Sequence, residues 1–337
     1  MDDVDLVERL LASEEPSIRW KVRVQVLRED RASPRIQALE RRIRRSPRVR
    51  TLLAGLIRPG VRDGVRDPYS KWQGAHWVLA SLADIGYPRA SRALLPLRDR
   101  LLDRWLGDVY YREFDATTKS EAYRKQGVPR VRGRYRRCAS QQGNALYFLE
   151  KLRIANERSD DLAERLLHWQ WPDGGWNCDR NPEADTSSFW ESRHAMLGLA
   201  VYASRTRDSA ARKAALRAAE VYLSRELFLE RHSRRVMNPE FLQLHYPLYH
   251  HYDILGGLRN MAEIGLIRDH RCAKALDRLQ AKQLPGGGWA AERQLYKVSA
   301  KPGTRTDSVD WGGASPTACN EWVTVDALAV LKAAGRI

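Results

Sequence analysis

The sequence predicts an all-α protein, an α/α toroid of about six inner and five to six outer helices. Three observations predict it. Apolar residues recur with helical periodicity along most of the chain, while the strict alternation of a half-buried strand is nearly absent. Two kinds of helix alternate, one apolar on all sides and one charged on a single face, as expected of an inner ring sheathed by an outer ring. Finally, Gln170-Trp171-Pro172-Asp173-Gly174-Gly175-Trp176 recurs as Gln283-Leu284-Pro285-Gly286-Gly287-Gly288-Trp289, at a constant offset of 113 residues. A repeat without a gap indicates duplicated architecture.

Taken in order, the inner-type helices are Ser17–Glu29, Ser70–Ile85, Gln141–Ile154, Phe189–Ala203, Tyr252–Ile264 and Asn320–Ala334, rich in Leu, Ala and Gly. Between them lie the one-faced helices Pro34–Arg45, Ala90–Trp105, Asp160–His168, Ala210–Glu230 and His270–Gln283. Each copy of the repeat ends a Leu-rich helix. Proline cannot continue it, glycine supplies the positive φ of a sharp turn, and glutamine ties off the exposed helix end. The Trp then clamps the junction with a large buried face. No linker rich in Pro, Ser and Gly divides the chain, so residues 1–337 read as one domain. Two stretches resist a helical reading. Tyr110–Arg137 sets Arg124, Lys125, Arg130, Arg132, Arg134, Arg136 and Arg137 around Gly127, Pro129 and Gly133, which reads as a mobile basic loop. It is either a solvated insertion or a lid whose Arg132 and Arg134 grip an anionic substrate. The second loop, Ala290–Pro316, carries Asp307-Ser308-Val309-Asp310-Trp311 and looks built to reach into a cavity.

Composition narrows the classes. A hydrophobic content of 43% is ample for a core, and apolar runs are too short and too often charged to cross a membrane. The acidic start lacks the pattern of a secretory signal, and four scattered cysteines with no CxxC pair suit a reducing cytosol, so a cytoplasmic location is expected. A net charge of +16 calls for an anionic partner: a phosphorylated small molecule, an acidic polysaccharide, a nucleic acid, or an anionic lipid surface touched peripherally. There is no phosphate-binding glycine loop followed by Lys-Ser/Thr and no nucleophile elbow. The basic stretches lack a helix-turn-helix or zinc-finger context, so specific nucleic-acid recognition is not expected.

The Gln-x-Pro-Asp-Gly-Gly-Trp turn resembles the QW repeat of squalene–hopene cyclases and related terpenoid cyclases, and the equivalent turns of protein prenyltransferase β subunits. The resemblance spans roughly Gln141 to Ile337. It implies an enzyme acting on an isoprenoid, diphosphates included, by acid-initiated or carbocation chemistry. In the cyclases the acid sits in Asp-x-Asp-Asp at the opening of an inner helix. The corresponding run here, Glu183-Ala184-Asp185-Thr186, is one Asp short. It makes Asp185 the implied proton donor, with Glu183 and Glu191 as nearby carboxylates; the same run also reads as a plain helix N-cap. Prenyltransferases hold zinc with Asp, Cys and His, for which Cys178, Asp185 and His250 would be the nearest set. The Asp-x-Cys pairing is missing, so no cofactor is expected, zinc and magnesium being the metals that such chemistry would use.

A second cluster, His245-Tyr246-Pro247-Leu248-Tyr249-His250-His251-Tyr252-Asp253, packs three His and three Tyr into nine residues. Tyr246, Tyr249 and Tyr252 are candidates to shield a cation, His250 and His251 to act as a base, and Asp253 to orient it. Trp72, Trp77, Trp190, Trp311 and Trp322 fall at or near the starts of inner helices, where their rings would face a ligand or serve as helix-end packing. Trp77, Trp190, Trp311 and His194 are the candidate substrate contacts. Two other functions compete. One is an α/α-barrel hydrolase or lyase for an acidic saccharide, working through Asp185, Asp253 or Asp310. The other is a non-enzymatic helical scaffold that binds nucleic acid or an acidic partner through the Arg-rich loop.

Overall fold

Helix starts are written plainly near the N-terminus. Ser33 and Ser46 each precede a proline, and each hydroxyl accepts from the backbone N–H three residues on, Ile36 at 3.3 Å and Val49 at 3.2 Å. The side chain satisfies an orphan donor while proline fits the first helical position. The computed structural model describes residues 3–56, 66–299 and 305–337, and 14 α-helices dominate them.

The chain forms one compact unit from residues 1–88 and 225–337 and a second from residues 89–224. The first unit opens with α1 (Asp3–Leu11), α2 (Pro16–Lys21), α3 (Pro34–Arg44), α4 (Pro47–Ala54) and α5 (Ala75–Asp84). The second holds α6 (Leu95–Trp105), α7 (Lys119–Arg124), α8 (Ala139–Lys151), α9 (Glu157–Trp169), α10 (Phe189–Thr206) and α11 (Ser209–Leu223). The chain then returns to the first with α12 (Ile254–Glu263), α13 (Ala273–Gln280) and α14 (Glu321–Ala334). All eleven predicted helices have a counterpart. The first predicted one continues from α2 into a π-helical stretch, Val22–Val26. The one predicted over Ala210–Glu230 stops at Leu223, and the chain soon turns through Glu226 and Leu227 with positive φ.

In the second unit the buried pair is α8 and α10, which pack most extensively on each other. They approach so closely because Gly143 lies against Ala195: a Cβ there would sit 2.4 Å from the Ala195 backbone. Larger residues would force the helices apart.

The repeat is visible as a duplicated hydrogen-bond pattern. Trp171 N donates to Gly175 O (2.8 Å) and Leu284 N to Gly288 O (2.9 Å). The Trp176 indole donates to Leu166 O at 2.9 Å, and the Trp289 indole to Leu279 O at 2.7 Å, in each case ten residues upstream. Their backbone N–H groups donate to Ser192 Oγ and Thr324 Oγ1, both at 2.9 Å. Gln170 Nε2 donates to the Gly174 and Ala214 carbonyls. Both turns lead to a buried helix, α10 after 12 residues and α14 after 31, so the second copy carries the longer excursion.

One loop expectation is corrected. The stretch 110–137 is structured: β1 (Glu113–Asp115) pairs parallel with β2 (Val128–Val131), which pairs antiparallel with β3 (Arg134–Tyr135). The helix α7 between them opens with a capping box of Thr118 and Glu121, and Ala116, Ala122 and Val131 form a small core with Phe114 packed on it. The arginines are consumed locally. Arg130 pairs with Asp115 at 2.7 Å and Arg132 with Glu183 at 2.8 Å. Arg134 and the buried Arg136 lie over the Trp171 ring, and Arg136 donates to the Asp179 and Ala184 carbonyls. In the loop after Trp289, β4 (Lys297–Val298) pairs parallel with β5 (Thr306–Asp307). Residues 300–304 of that predicted loop lie outside the described residues.

Candidate functional site

The first unit gathers the histidine-rich segment, the loop strand β5 and the residues before α5. Asp253 is the N-cap of α12: its Oδ1 accepts from Gly256 N at 2.7 Å, and its Oδ2 from His245 N at 3.0 Å. The same Oδ2 lies 2.9 Å from His245 Nδ1, which also faces Gln243 O at 3.2 Å. Both neighbours are acceptors, so Nδ1 carries a proton and donates to them, leaving Nε2 as the ring's other nitrogen. Nε2 is buried and has no hydrogen-bond partner among the described residues.

From His245 the rings form a chain. His251 lies 6.0 Å away, centroid to centroid, and Trp72 5.7 Å from His251. Trp72 stacks on Tyr249 at 4.1 Å with the planes 5° apart, and Trp77 meets Trp72 edge-on at 4.7 Å. His250 lies 5.3 Å from Trp72. The chain ends on a carboxyl. Asp307, 2% exposed, accepts at Oδ2 from the Tyr249 hydroxyl and, at 2.8 Å, from the Trp311 indole. Val309 N donates to Oδ1 at 2.9 Å. Burial pushes the Asp307 carboxyl above the ordinary carboxylate range, outweighing the donors that favour its charged form.

His251 moves the other way. Burial, then His250 and His245, then Lys71 and Arg293, lower it from 6.5 to about 2. The fold therefore favours neutral His251, and the stability this contributes is complete above about pH 6.5 and is lost as pH falls through the window toward 2. His251→Gln should accordingly lose about 1–2 kcal/mol less than wild type between pH 7 and pH 5, measured by urea unfolding. Equal losses would show that His251 is not held neutral.

The sequence-predicted residues divide between the units. In the first, Trp77, Tyr249, His250, His251, Asp253 and Trp311 come together as described. Tyr246 meets this group only through Trp311, whose ring lies edge-on to its own at 5.5 Å. Its hydroxyl donates to Asp84 at 2.7 Å, and its ring stacks on Trp322. Tyr252 anchors the Leu227 carbonyl at 2.7 Å. Asp310 is exposed and caps Gly312 N, so it is not a buried acid. In the second unit Asp185 and Glu183 are both exposed, and Glu183 is ion-paired with Arg132. That corrects the expectation of a buried acid pair: Ser188 is the N-cap of α10, and Asp185 lies in the surface segment before it. Trp190 is 44% exposed, whereas His194 is buried within α10. Glu191 is half-buried in the first turn of α10. Its Oε2 accepts from Ser140 Oγ at 2.9 Å, and Cys178 Sγ lies 3.5 Å from its Oε1.

Sequence reasoning missed Asp307, although it sits three residues from Asp310 in the loop singled out. Asp307 closes the short buried strand β5, whereas Asp310 lies exposed beyond it. Trp72 is among the rings that the sequence places toward a ligand, whereas His245 lies in the histidine cluster without a predicted role. No protein-family model, curated protein or solved structure matches the chain.

Proposed function

We propose that the protein is an enzyme that starts a reaction of an isoprenoid-type substrate by protonation, with Asp307 as the acid. One observation carries this reading: a buried carboxyl, displaced toward its neutral form, placed beside the stacked rings of Tyr249 and Trp72. Protonating an alkene needs a carboxyl that holds its proton, and burial shifts Asp307 in that direction. Aromatic faces stabilise the cationic character that follows. His245, oriented by Asp253, is the base that removes a proton at the end. Lys71 and Arg293 add positive potential at the histidine edge, which suits an anionic head group such as a diphosphate. The architecture inferred with it is of the α/α toroid type, supported by the largely buried helices α8 and α10 in the second unit and α5, α12 and α14 in the first.

Incubated with prenyl diphosphates of graded chain length in deuterium oxide, the protein should give products bearing deuterium at the protonated carbon. Asp307→Asn should lower turnover about 10²–10⁴-fold. Retained turnover in that variant, or product without the isotope, would sink the reading. A second reading has its own observation. The second unit carries an open polar groove of about 690 Å³ lined by Tyr111, Arg112, Glu113, Asp161, Glu164, Arg165 and His168. That lining offers the grouped carboxylates that glycoside hydrolysis uses, and release of reducing or unsaturated sugar ends would support it over proton-initiated chemistry.

A further inference from the structure

Two cysteines and a carboxylate converge in the second unit, from three separate segments. Cys138 is the residue before α8, Cys178 follows the first Trp turn, and Glu191 lies in the first turn of α10. Their sulfur and oxygen atoms all lie within 4.8 Å of one another. We infer that Cys138, Cys178 and Glu191 form a binding site for one zinc-class divalent cation, with a fourth position open to solvent.

The geometry already has the dimensions of such a site. Tetrahedral zinc with bonds of about 2.3 Å to sulfur and about 2.0 Å to oxygen sets a sulfur–oxygen edge of about 3.5 Å. Cys178 Sγ and Glu191 Oε1 are 3.5 Å apart. The other oxygen of Glu191 is fixed by two donors, Ser140 N at 3.2 Å and Ser140 Oγ at 2.9 Å, which aims the carboxylate as an outer-shell partner aims a ligand. Charge points the same way. Two thiolates and one carboxylate carry three negative charges, and the buried Arg137 guanidinium, which interacts with all three groups, supplies one positive. A divalent ion brings the cluster to neutrality, as burial demands. Soft thiolates select zinc over magnesium or calcium. A Cys138–Cys178 disulfide would use the same sulfurs but would give no role to Glu191, held in place against Cys178. All three ligand residues are half-buried, which leaves the open position accessible.

The reduced full-length protein, loaded with zinc and desalted, should retain one ion per chain. Cobalt should give a thiolate charge-transfer band with tetrahedral visible bands. Cys138→Ser and Cys178→Ser should each roughly halve the charge-transfer intensity and weaken binding by more than the ~10–100-fold typical of losing a supporting hydrogen bond. Glu191→Gln should weaken binding but keep the band. Because a variant can fail through folding, wild-type alkylation mapped by mass spectrometry provides an independent reading. Zinc should protect Cys138 and Cys178 and leave the exposed Cys319 as reactive as before. The inference is overturned if reduced wild type retains no ion, if the band survives in the double serine variant, or if zinc leaves both cysteines equally reactive. A Cys138–Cys178 disulfide that persists through reduction would overturn it as well.

Discussion

Lys21→Met is expected to cost about 3–5 kcal/mol of folding stability, because it breaks a buried ring of charges and leaves carboxylates without their cation. Lys21 is fully buried and lies 3.0 Å from Asp84 Oδ2 and 2.8 Å from Asp326 Oδ1. Arg259 closes the ring, with one nitrogen 2.6 Å from Asp84 and another 2.6 Å from Asp326. Tyr246 adds a hydrogen bond to Asp84, and the Lys21 ammonium lies over the Tyr246 and Trp322 rings, 5.3 and 5.9 Å from their centroids. Two anions and two cations balance in wild type; the variant keeps two anions and one cation. Methionine preserves the apolar stem, so the loss reports charge and hydrogen bonding more than volume. The sign with pH is specific. In the variant the surplus carboxylate gains stability by taking up a proton, so the deficit should shrink as pH falls from 7 to 5, while Lys21→Met with Asp326→Asn should recover part of it. Denaturant unfolding measures all three. A loss under about 1 kcal/mol would mean that the ring contributes little beyond its burial cost.

This ring shows what the sequence could and could not convey. The helices that carry it were legible: α5, α12 and α14 are rich in apolar residues and so had to be buried, and α2 opens a stretch with helical periodicity. The pairing was not: Lys21, Asp84, Arg259 and Asp326 are spread over the length of the chain, and no local spacing brings them together. The same holds for Cys138 and Cys178, forty residues apart and unremarkable as single cysteines. Tyr246 was assigned to a cation pocket because its neighbours are Tyr and His, yet a side chain's direction within an irregular segment is set by tertiary packing. Asp185 failed for a related reason. A motif match places a residue next to a helix, but Ser187 and Ser188 take the bonding positions there, Ser187 donating to Asp173 and Ser188 capping Glu191 N. The basic stretch misled in the opposite direction. Alternating arginines look like a surface lid, but Arg136 and Arg137 are buried and Arg130 is paired, so the charge is spent on holding the small sheet and its surroundings. Composition recorded the arginines; only contacts show what they touch.

The duplicated turn permits a comparison within a single molecule. Trp176→Ala and Trp289→Ala should each cost about 3–5 kcal/mol, since each removes a wholly buried indole from a packed junction. Phe at either position keeps most of the apolar area and loses the indole N–H, stranding the Leu166 or Leu279 carbonyl; that loss should be about 1–3 kcal/mol. The two copies share the indole bond, the backbone bond to a hydroxyl on the next helix, and the reverse bond across the turn. Their costs should therefore agree to within about 1 kcal/mol, although they lie in different units and lead into excursions of different length. Gly288 adds a further constraint in the second copy. Its φ is +81°, and a Cβ would come within 2.6 Å of Cys319 Sγ and 3.0 Å of Thr324 Oγ1, so Gly288→Ala should destabilise as well. Paired unfolding curves for the four Trp variants test the idea. A copy that tolerates alanine with less than about 1 kcal/mol would show that its turn is decoration on a helix end already satisfied by other contacts. Equal costs would mean that the repeat does in each unit what its sequence implies: it stops one helix, fixes the angle of the next, and sets where the following segment begins. For the second copy that segment is the one carrying Asp307.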